Sequence, residues 1–202
     1  MLSNSRYHII KVSTHQQLDH ARHFINQKYK RCGTTPHLPE TLFICYEGSK
    51  VVAAVGFDNW NPKAPNSLAY CFDYQHHDSD LQNETVEFCR WSAENSLLAA
   101  SVAFIASSEA AVQGKKTGIC ALKHPVNEHA RSFGLNLKEI VNARIVADKV
   151  PLVDHSYFLS EPAPLLYRVK IPQMNWAFGQ TAIPAIMQGL ISLEGVAGIA
   201  LA

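Results

Sequence analysis

The segment from Leu97 to Val112 limits the fold of this chain more than any other part of the sequence. It is strongly apolar and rich in alanine, and Gly114 ends it. Alanine has the highest helix propensity, and a helix that is apolar around its whole circumference is buried on more than one side. The segment therefore predicts a helix packed on both sides. The 202 residues of the chain, 47% of them apolar, suffice for one core around such a helix.

Strands and one amphipathic helix are predicted before this central helix. Apolar residues at helical spacing predict a helix over residues 16–31, and they are Leu18, Ala21, Ile25 and Tyr29. Two apolar segments joined by Glu47-Gly48-Ser49-Lys50 predict a hairpin. The polar stretch Gln75–Glu84 is predicted to be mobile. The predicted strands are Tyr7–Val12, Leu42–Tyr46, Val51–Phe57, Leu68–Tyr74 and Val86–Ala93.

Alternating elements are also predicted after the central helix. Thr117–Leu122 has the pattern of a buried strand, and a short helix then begins at Pro125 and ends at Gly134. Two later β candidates, Asn136–Val146 and Leu165–Ile171, flank the proline-rich stretch Pro151–Pro164. The complete order of elements predicts an α/β fold with a central mixed sheet.

The C-terminal tail is predicted to be a separate apolar appendage. We divide the chain into a domain over residues 1–173 and a helical appendage over residues 174–202. Three interpretations of the tail stay open: packing against the domain, a homodimer contact and peripheral membrane contact. Pro184 and three glycines argue against a membrane-spanning helix. The apolar stripe comprises Ile183, Ile186, Met187, Leu190 and Ile191.

Charge and cysteine usage exclude several classes of protein. The net charge is +1 and the basic residues are scattered, so no nucleic-acid partner is predicted. The five cysteines form no C-x-x-C pair, and the ten histidines reproduce no known ligand set, so neither a disulfide framework nor a metal site is predicted. The first twenty residues hold no apolar stretch typical of a signal peptide, and we therefore expect a cytoplasmic protein.

Three patches of sequence carry a resemblance to a known superfamily. Taken together, they resemble the branch of the GNAT superfamily that contains the thermostable hemolysin-like proteins and the acyl-homoserine lactone synthases. The resemblance implies an α/β, GNAT-like fold whose central mixed, mostly antiparallel sheet has helices on both faces. The patches are Phe24-Ile25 with Tyr29, Leu38-Pro39, Leu42 and Val51–Gly56; then Val86–Trp91; then Asn127–Leu135, Ser156-Tyr157 and Pro162–Val169.

One departure from the superfamily concerns the acyl donor. Acetyl-CoA-dependent GNAT enzymes place a glycine-rich turn after the central strand, where backbone N–H groups bind the pyrophosphate. This chain has Ser92–Leu98 there, without a glycine. Acyl-homoserine lactone synthases lack that turn too and take the acyl group from acyl carrier protein (ACP). The resemblance therefore implies acyl-ACP or acyl-CoA as co-substrate, with ACP as a partner. Glu40 alone matches their acidic acceptor residues, so homoserine lactone synthesis is not predicted.

The resemblance also singles out candidate site residues. Glu87 is the candidate general base or substrate anchor, and Arg90 the candidate carboxylate or carbonyl partner. On a regular strand they would point to opposite faces, whereas a β-bulge between them would bring them to one face. A purely structural ion pair is an equally weighted interpretation. Cys89 is a weaker candidate nucleophile, because no flanking motif supports it. The candidate substrate-binding residues are Phe88, Trp91, Phe104 and His124.

We therefore expect an N-acyltransferase that moves an acyl chain from a carrier thioester to a small-molecule amine acceptor. This hypothesis predicts an opening between the strand at Val86–Ala93 and the strand at Thr117–Leu122 that leads to an apolar pocket. The alternative is a non-catalytic GNAT-fold binding protein or a membrane-active hemolysin-like protein, for which Phe88, Trp91 or Phe104 would fill that pocket. A third hypothesis is an acetyltransferase that uses acetyl-CoA atypically.

Overall fold

A computed structural model of the chain describes residues 5–30, 36–65, 67–74 and 83–196. The described residues form one eight-stranded sheet in the order β6-β7-β5-β4-β3-β2-β1-β8. The β1/β8 and β4/β5 pairs are parallel and the other five are antiparallel, which confirms the predicted mixed, mostly antiparallel sheet. The strands are β1 Tyr7–Lys11, β2 Thr41–Glu47, β3 Lys50–Asn59, β4 Thr85–Ala93, β5 Thr117–Leu122, β6 Lys138–Glu139, β7 Leu165–Lys170 and β8 Ile191–Glu194.

Helices cover both faces of this sheet, as predicted. Two single 3-10 turns, Ala147–Lys149 and Leu152–Asp154, precede the fifth helix. The helices are α1 His15–Lys30, α2 Leu68–Cys71, α3 Ser96–Val112, α4 His124–Ser132, α5 His155–Phe158 and α6 Ile171–Met187.

Alternation along the strands separates the cores on the two faces. Successive side chains of a strand point to opposite faces. Ile9 and Phe43 therefore join the core formed with α3 and α6, whereas their neighbours Ile10 and Ile44 pack against α1. The same alternation places Cys120 in the first core and its neighbour Ile119 in a smaller core with α2 and α5.

The central helix α3 is buried on all sides, as its composition predicts. Every residue from Leu98 to Ala110 is buried, and the helix packs against the sheet and against α6. Gly179 permits this close approach, because a Cβ atom there would lie 3.2 Å from the Phe104 ring. Glu109 within α3 is 4% exposed and accepts a 2.6 Å hydrogen bond from Lys11 of β1.

The predicted strand at Leu68–Tyr74 is wrong. Residues Leu68–Cys71 form the short helix α2, and the hydroxyl of Ser67 accepts a 3.1 Å hydrogen bond from the N–H of Tyr70. Serine at the N-cap satisfies a backbone donor that a strand would have paired with a neighbour. The local cap therefore overrides the β-like pattern of this segment.

The β candidate at Asn136–Val146 is much shorter in the structure than predicted. Only Lys138–Glu139 pairs with β7. The backbone N–H groups of Arg144 and Val146 donate instead to the carbonyls of Phe72 and Cys71, at 3.1 and 2.9 Å. The segment thus leaves the edge of the sheet to cover α2.

The predicted apolar stripe of the tail is divided between a helix and a strand. Helix α6 ends at Met187, and Gly189 has a φ of +71°. Ile191 then begins β8, which pairs in parallel with β1. The predicted boundary between residues 173 and 174 falls inside α6. The segment predicted to be mobile, Gln75–Glu84, lies mostly outside the described residues. Within the described ranges, no helix is both long and apolar enough to cross a membrane.

Candidate active site

A β-bulge interrupts β4 in the middle of the sheet. Gly56 of β3 pairs with Cys89, and Ala54 pairs with Ser92, so Val55 alone faces two residues of β4. These two residues are Arg90 and Trp91, and Arg90 has a φ of +61°. An extra residue of this kind bends the strand and increases its twist. Strand β4 therefore has a bulge, but it lies at Arg90 and Trp91, because the register is regular from Glu87 to Cys89 and the expected bulge between Glu87 and Arg90 is not there.

Strands β4 and β5 separate just before the bulge. They pair only at the start of β4, where Thr85, Val86 and Glu87 face Thr117, Gly118 and Ile119. Beyond this point β5 stays paired with β7 as far as Leu122, while β4 continues along β3. The sheet thus opens between two of its central strands, as the acyltransferase hypothesis predicts.

An apolar cavity of about 250 Å³ fills the opening. Its walls come from β4 and β5, from α3, α4 and α6, and from the end of α1. Among the described residues, Lys28, Tyr29, Arg90 and Tyr157 are the only titratable side chains on these walls besides the cysteines. The apolar lining consists mainly of Val55, Phe88, Trp91, Ala103, Leu122, Val126, Ala130, Leu135, Leu137, Val169, Met174 and Phe178.

A surface groove of about 480 Å³ leads into this cavity, with which it shares Lys28, Trp91, Ser92 and Val126. The groove follows the turn between β4 and α3, at the place where the superfamily has its glycine-rich turn. Asn95 caps α3 there, and its side-chain oxygen accepts a 3.0 Å hydrogen bond from the N–H of Leu98. One of the first free N–H groups of the helix is therefore satisfied within the chain.

A second, smaller cavity of about 60 Å³ adjoins the apolar one. The two cavities share Tyr29, Phe88, Cys89, Arg90, Ala121 and Tyr157. The small cavity adds Leu68, Phe158 and the carboxylate residue Asp154. The strand at the bulge therefore separates a large apolar space from a small polar one.

Glu87 lies beside these cavities and lines neither of them. It is 4% exposed, and Oε2 accepts a 2.7 Å hydrogen bond from the N–H of Leu68. Its Oε1 atom is buried without a partner among the described residues. Burial raises the pKa of this carboxyl to about 7, although hydrogen bonds from the backbone of Leu68 and Ala69 oppose the rise. Glu87 can therefore gain or lose a proton near neutral pH.

Arg90 is held at the cavity wall by residues from the loop before β2. Its Nε donates to the carbonyl of His37 at 2.8 Å, and its Nη2 donates to Nδ1 of the same imidazole at 3.0 Å. Because Nδ1 accepts this bond, Nε2 carries the imidazole proton and faces a carboxylate oxygen of Asp58 at 3.3 Å. No ion pair joins Arg90 to Glu87 within the described residues, so the structural pair left open by the sequence is not formed.

The four predicted substrate-binding residues occupy different places. Phe88 and Trp91 line the apolar cavity. Phe104 does not line it, because its ring packs against α6 at Gly179. His124 lies at the start of α4 with a 76% exposed side chain, 4.0 Å from Glu128. The cavity is therefore open, and none of the three aromatic rings fills it, an arrangement that would have supported the non-catalytic hypothesis.

Trp91 is fixed in the cavity wall by several aromatic contacts. Its Nε1 donates to the carbonyl of Ala99 at 2.9 Å. The His129 ring stacks on it with the ring centroids 5.9 Å apart, and the Phe178 ring forms a T-shaped pair with it at 5.5 Å. A ring held in this way is a rigid wall for an apolar ligand.

Cys89 is half-buried and lines both cavities. Burial raises its pKa to about 12, which keeps it protonated at neutral pH. A nucleophilic cysteine requires the thiolate. The chemistry of this cleft therefore falls to other groups. The described part of the chain also contains no cluster of three His, Cys, Asp or Glu residues arranged for a metal ion.

Sequence reasoning missed His37 and Asp154 as site residues. His37 reaches Arg90 from 53 positions away, and Asp154 lies in the proline-rich stretch that the sequence analysis treated as a connection. The local signal for Asp154 was weak, because it lies two residues before Ser156-Tyr157 and outside that part of the superfamily resemblance.

Comparisons with known proteins give structural but not sequence matches. No protein-family model and no curated protein sequence matches the chain. FeeM, an N-acyl amino acid synthase from uncultured soil microbes, has a TM-score of 0.56 at 12% identity over 90% of this chain and 98% of its own. The AHL synthase LasI has a TM-score of 0.59 at 10% identity, covering 87% of this chain and 94% of its own.

A third similar structure is BjaI, a CoA-dependent acyl-homoserine lactone synthase with SAM and isopentyl-CoA. Its TM-score is 0.57 at 11% identity over 95% of this chain and 94% of its own. The resemblance to thermostable hemolysin-like proteins stays a prediction. The solved structures that this chain resembles are GNAT-like N-acyltransferases, and the chain has their fold.

Proposed function

We propose that the protein is an N-acyltransferase that moves an acyl chain from a carrier thioester to an amine. The observation that carries this proposal is the opening of the sheet between β4 and β5, which joins the surface groove to the apolar cavity. A transferase needs an entry path for a thioester arm and an apolar space for the acyl chain. The similar structures of FeeM, LasI and BjaI belong to proteins that form acyl amides, which supports the same reaction class here.

The groove and the cavities define the arrangement of the substrates. We place the thioester arm in the groove at Ser92 and Val126, with the acyl chain against Phe88, Trp91 and Phe178. The carbonyl carbon then lies at the bulge. A bulge leaves one residue outside the regular ladder, and backbone donors directed at a developing oxyanion stabilise it. The amine approaches from the small cavity on the other side of Arg90.

The reaction forms one C–N bond and breaks one C–S bond. The acceptor ammonium first loses a proton, and the neutral amine then attacks the thioester carbonyl. The thiolate leaves with the electron pair of the C–S bond and takes up one proton as the amide nitrogen loses one. The net products are the amide, the free thiol and one proton. Glu87 is the proposed first proton acceptor, because its pKa of about 7 suits proton transfer at neutral pH.

The acyl donor is proposed to be acyl-ACP or acyl-CoA. Both end in the same thioester arm, which the groove and cavity accommodate. Asn95 already satisfies one N–H group at the start of α3, so the chain offers fewer free donors to a pyrophosphate. This favours a carrier-protein donor, in agreement with the missing glycine-rich turn. A cytoplasmic location and contact with ACP stay predictions.

Incubation of the purified protein with donors of graded chain length and a mixture of amines tests the proposal. We expect thiol release that depends on the amine, together with an N-acyl product detected by mass spectrometry. Leu122→Trp places a large ring at the cavity wall and should lower turnover of long donors tenfold or more. This corresponds to a rise of about 1.4 kcal/mol or more in the activation free energy. The matched control is Leu165→Trp, at the exposed residue that pairs with Leu122 on β7.

Two results would contradict the proposal. The first is the absence of any amine-dependent thiol release with acyl-ACP and acyl-CoA of all lengths, from a protein that melts cooperatively. The second is an equal effect of the two tryptophan substitutions on turnover, which would show that the cavity does not hold the acyl chain.

A further inference from the structure

The small cavity beside the bulge has an acidic side chain on its wall to which no other described residue donates a side-chain hydrogen bond. Asp154 is the N-cap residue of α5 and is 8% exposed. Aspartate at an N-cap usually accepts a hydrogen bond from the first turn of its helix. Asp154 makes no such bond. Its carboxylate therefore does not serve the local structure.

No other part of the described chain compensates for this carboxylate. Within residues 5–30, 36–65, 67–74 and 83–196, no side-chain hydrogen bond or ion pair engages Asp154. Its charge acts on the thiol of Cys71, whose pKa is raised mainly by burial and further by Asp154 and Glu87. Polar groups of largely buried residues normally have a partner within the chain, so this carboxylate is available to a ligand. The cavity that Asp154 lines is the place for that ligand.

The opposite charge lies on the same cavity. Arg90 lines it too, and its Nε and Nη2 are bound to His37, whereas Nη1 has no hydrogen-bond partner among the described residues. Arg90 and Asp154 form no ion pair with each other, since no nitrogen of the guanidinium lies within 4.0 Å of the carboxylate. A carboxylate and a guanidinium that face one cavity without meeting suit a ligand that carries both charges.

We propose that Asp154 binds the ammonium group of the acceptor and that Arg90 binds an anionic group of the same molecule. This rests on the proposed acyl transfer, because the cavity joins the acyl cavity at Phe88, Cys89 and Arg90. The acceptor is thus a small zwitterion of the α-amino acid type. Its nitrogen is held at the bulge, within reach of the thioester carbonyl, until the proton is removed and attack begins.

The size of the cavity restricts this acceptor further. Its volume is about 60 Å³, against about 250 Å³ for the apolar cavity. Tyr29 and Tyr157 line both cavities. Small amino acids such as glycine or alanine fit this space better than aromatic ones.

The kinetics of Asp154→Asn provide the test. Asparagine keeps the size of the side chain and removes its charge. A hydrogen bond between charged groups contributes roughly 1.5–3 kcal/mol, so the KM for alanine should rise about 10- to 100-fold while kcat changes little. Asp148→Asn, at an exposed aspartate in the preceding 3-10 turn, is the matched control and should leave the KM unchanged.

Alanine analogues separate the two charges. Alanine methyl ester lacks the carboxylate and should respond to Asp154→Asn but not to Arg90→Gln. Propionate lacks the ammonium group and cannot contact Asp154 through it. Its inhibition constant against alanine should therefore be no weaker in Asp154→Asn than in the unchanged protein. An unchanged KM in Asp154→Asn, or equal responses of Asp154→Asn and Asp148→Asn, would overturn the proposal.

Binding without a donor keeps this inference distinct from the acyl transfer itself. In an NMR titration of the free protein with alanine, we expect chemical-shift changes that give a dissociation constant. This constant should be at least tenfold larger in Asp154→Asn. Such binding in a protein that transfers no acyl group supports the zwitterion site and contradicts only the proposed reaction. Transfer to alanine that Asp154→Asn leaves intact contradicts the site and leaves the reaction standing.

Discussion

The two edges of β4 differ in how they are paired, although they belong to one strand. Along β3 the pairing runs from Val86 to Ala93 and is interrupted only at the bulge. Along β5 it stops after Glu87. The bulge accounts for the difference, because it bends β4 while the antiparallel partner follows the bend. The parallel partner β5 instead remains with β7, and the sheet opens on that side alone.

Two glycines show how differently the edges tolerate added atoms. A Cβ atom at Gly56, on the β3 edge, would lie 2.3 Å from Cγ of Pro39 and 2.5 Å from the backbone oxygen of Thr41. A Cβ atom at Gly118, on the β5 edge, would lie 2.6 Å from the ring of Phe88. A backbone oxygen in a sheet cannot move away, whereas a ring beside a cavity can. We therefore expect the closed edge to be rigid and the open edge to be adaptable.

The largest effect is expected for Gly56→Ala on the closed edge. The new methyl group overlaps both the proline ring and the backbone of β2, so β2 and β3 must separate. Overpacking of this kind costs about 3 kcal/mol or more in the free energy of unfolding. For a chain of this length, the melting temperature should fall by roughly 6–12 °C. Thermal melting followed by circular dichroism measures the change.

Ala53→Gly is the control for Gly56→Ala, because it changes a buried position on the same strand by one methyl group in the opposite direction. It should cost about 1 kcal/mol, mostly through backbone entropy. A melting temperature for Gly56→Ala equal to that of Ala53→Gly would show that the β3 edge adapts, which contradicts the proposed difference between the edges.

The second effect concerns Glu87, the last residue of β4 that pairs on both edges. Burial raises its pKa from 4.5 to about 7, so the folded protein binds a proton that the unfolded chain has already lost between these pH values. The free energy of unfolding must therefore fall as the pH rises from about 4.5 to 7, and stay level above that range. The full change is on the order of 3 kcal/mol.

Glu87→Gln should remove this part of the pH dependence. Glutamine cannot ionise but can still accept the hydrogen bond from Leu68. The variant should gain stability relative to the unchanged protein as the pH rises through this range, which melting temperatures at pH 5, 6, 7 and 8 would show. Glu139→Gln, at an exposed residue of β6, should follow the unchanged protein. Parallel curves for all three proteins would contradict the raised pKa. Unchanged acyl transfer by Glu87→Gln would exclude Glu87 as the proton acceptor.

The parts of the fold that the sequence predicts well are those whose signal lies within one segment. The long helix α3, the β2/β3 hairpin and strand β5 follow from periodicity and composition, which act within one segment. The prediction of a strand at Leu68–Tyr74 was wrong because the hydroxyl of Ser67 caps a helix there. The spacing of apolar residues gives no sign of such a hydrogen bond.

The candidate site was predictable only in part, because it is assembled from distant segments. Glu87, Phe88, Arg90 and Trp91 lie on the strand that carries the second patch of the superfamily resemblance. Their partners come from other elements: His37 precedes β2, and Asp154 precedes α5. Such contacts depend on how the sheet opens, and no spacing within the sequence encodes them.

The smallest effect is expected for Gly118→Ala on the open edge. The new methyl group displaces the Phe88 ring, which also contacts the Phe57 ring at 5.8 Å. The cavity beside the ring accommodates the movement, so the cost should be only about 1 kcal/mol, or roughly 2–4 °C in melting temperature. The displaced ring narrows the acyl cavity, and long acyl donors should then stabilise the protein less than short ones in a thermal-shift titration.

Combining Gly118→Ala with Phe88→Leu should restore part of the lost stability, because the smaller side chain leaves room for the methyl group. Strictly additive losses in the double variant would mean that the new methyl group does not act on the Phe88 ring. A cost of Gly118→Ala as large as that of Gly56→Ala would mean that the β5 edge is as rigid as the β3 edge.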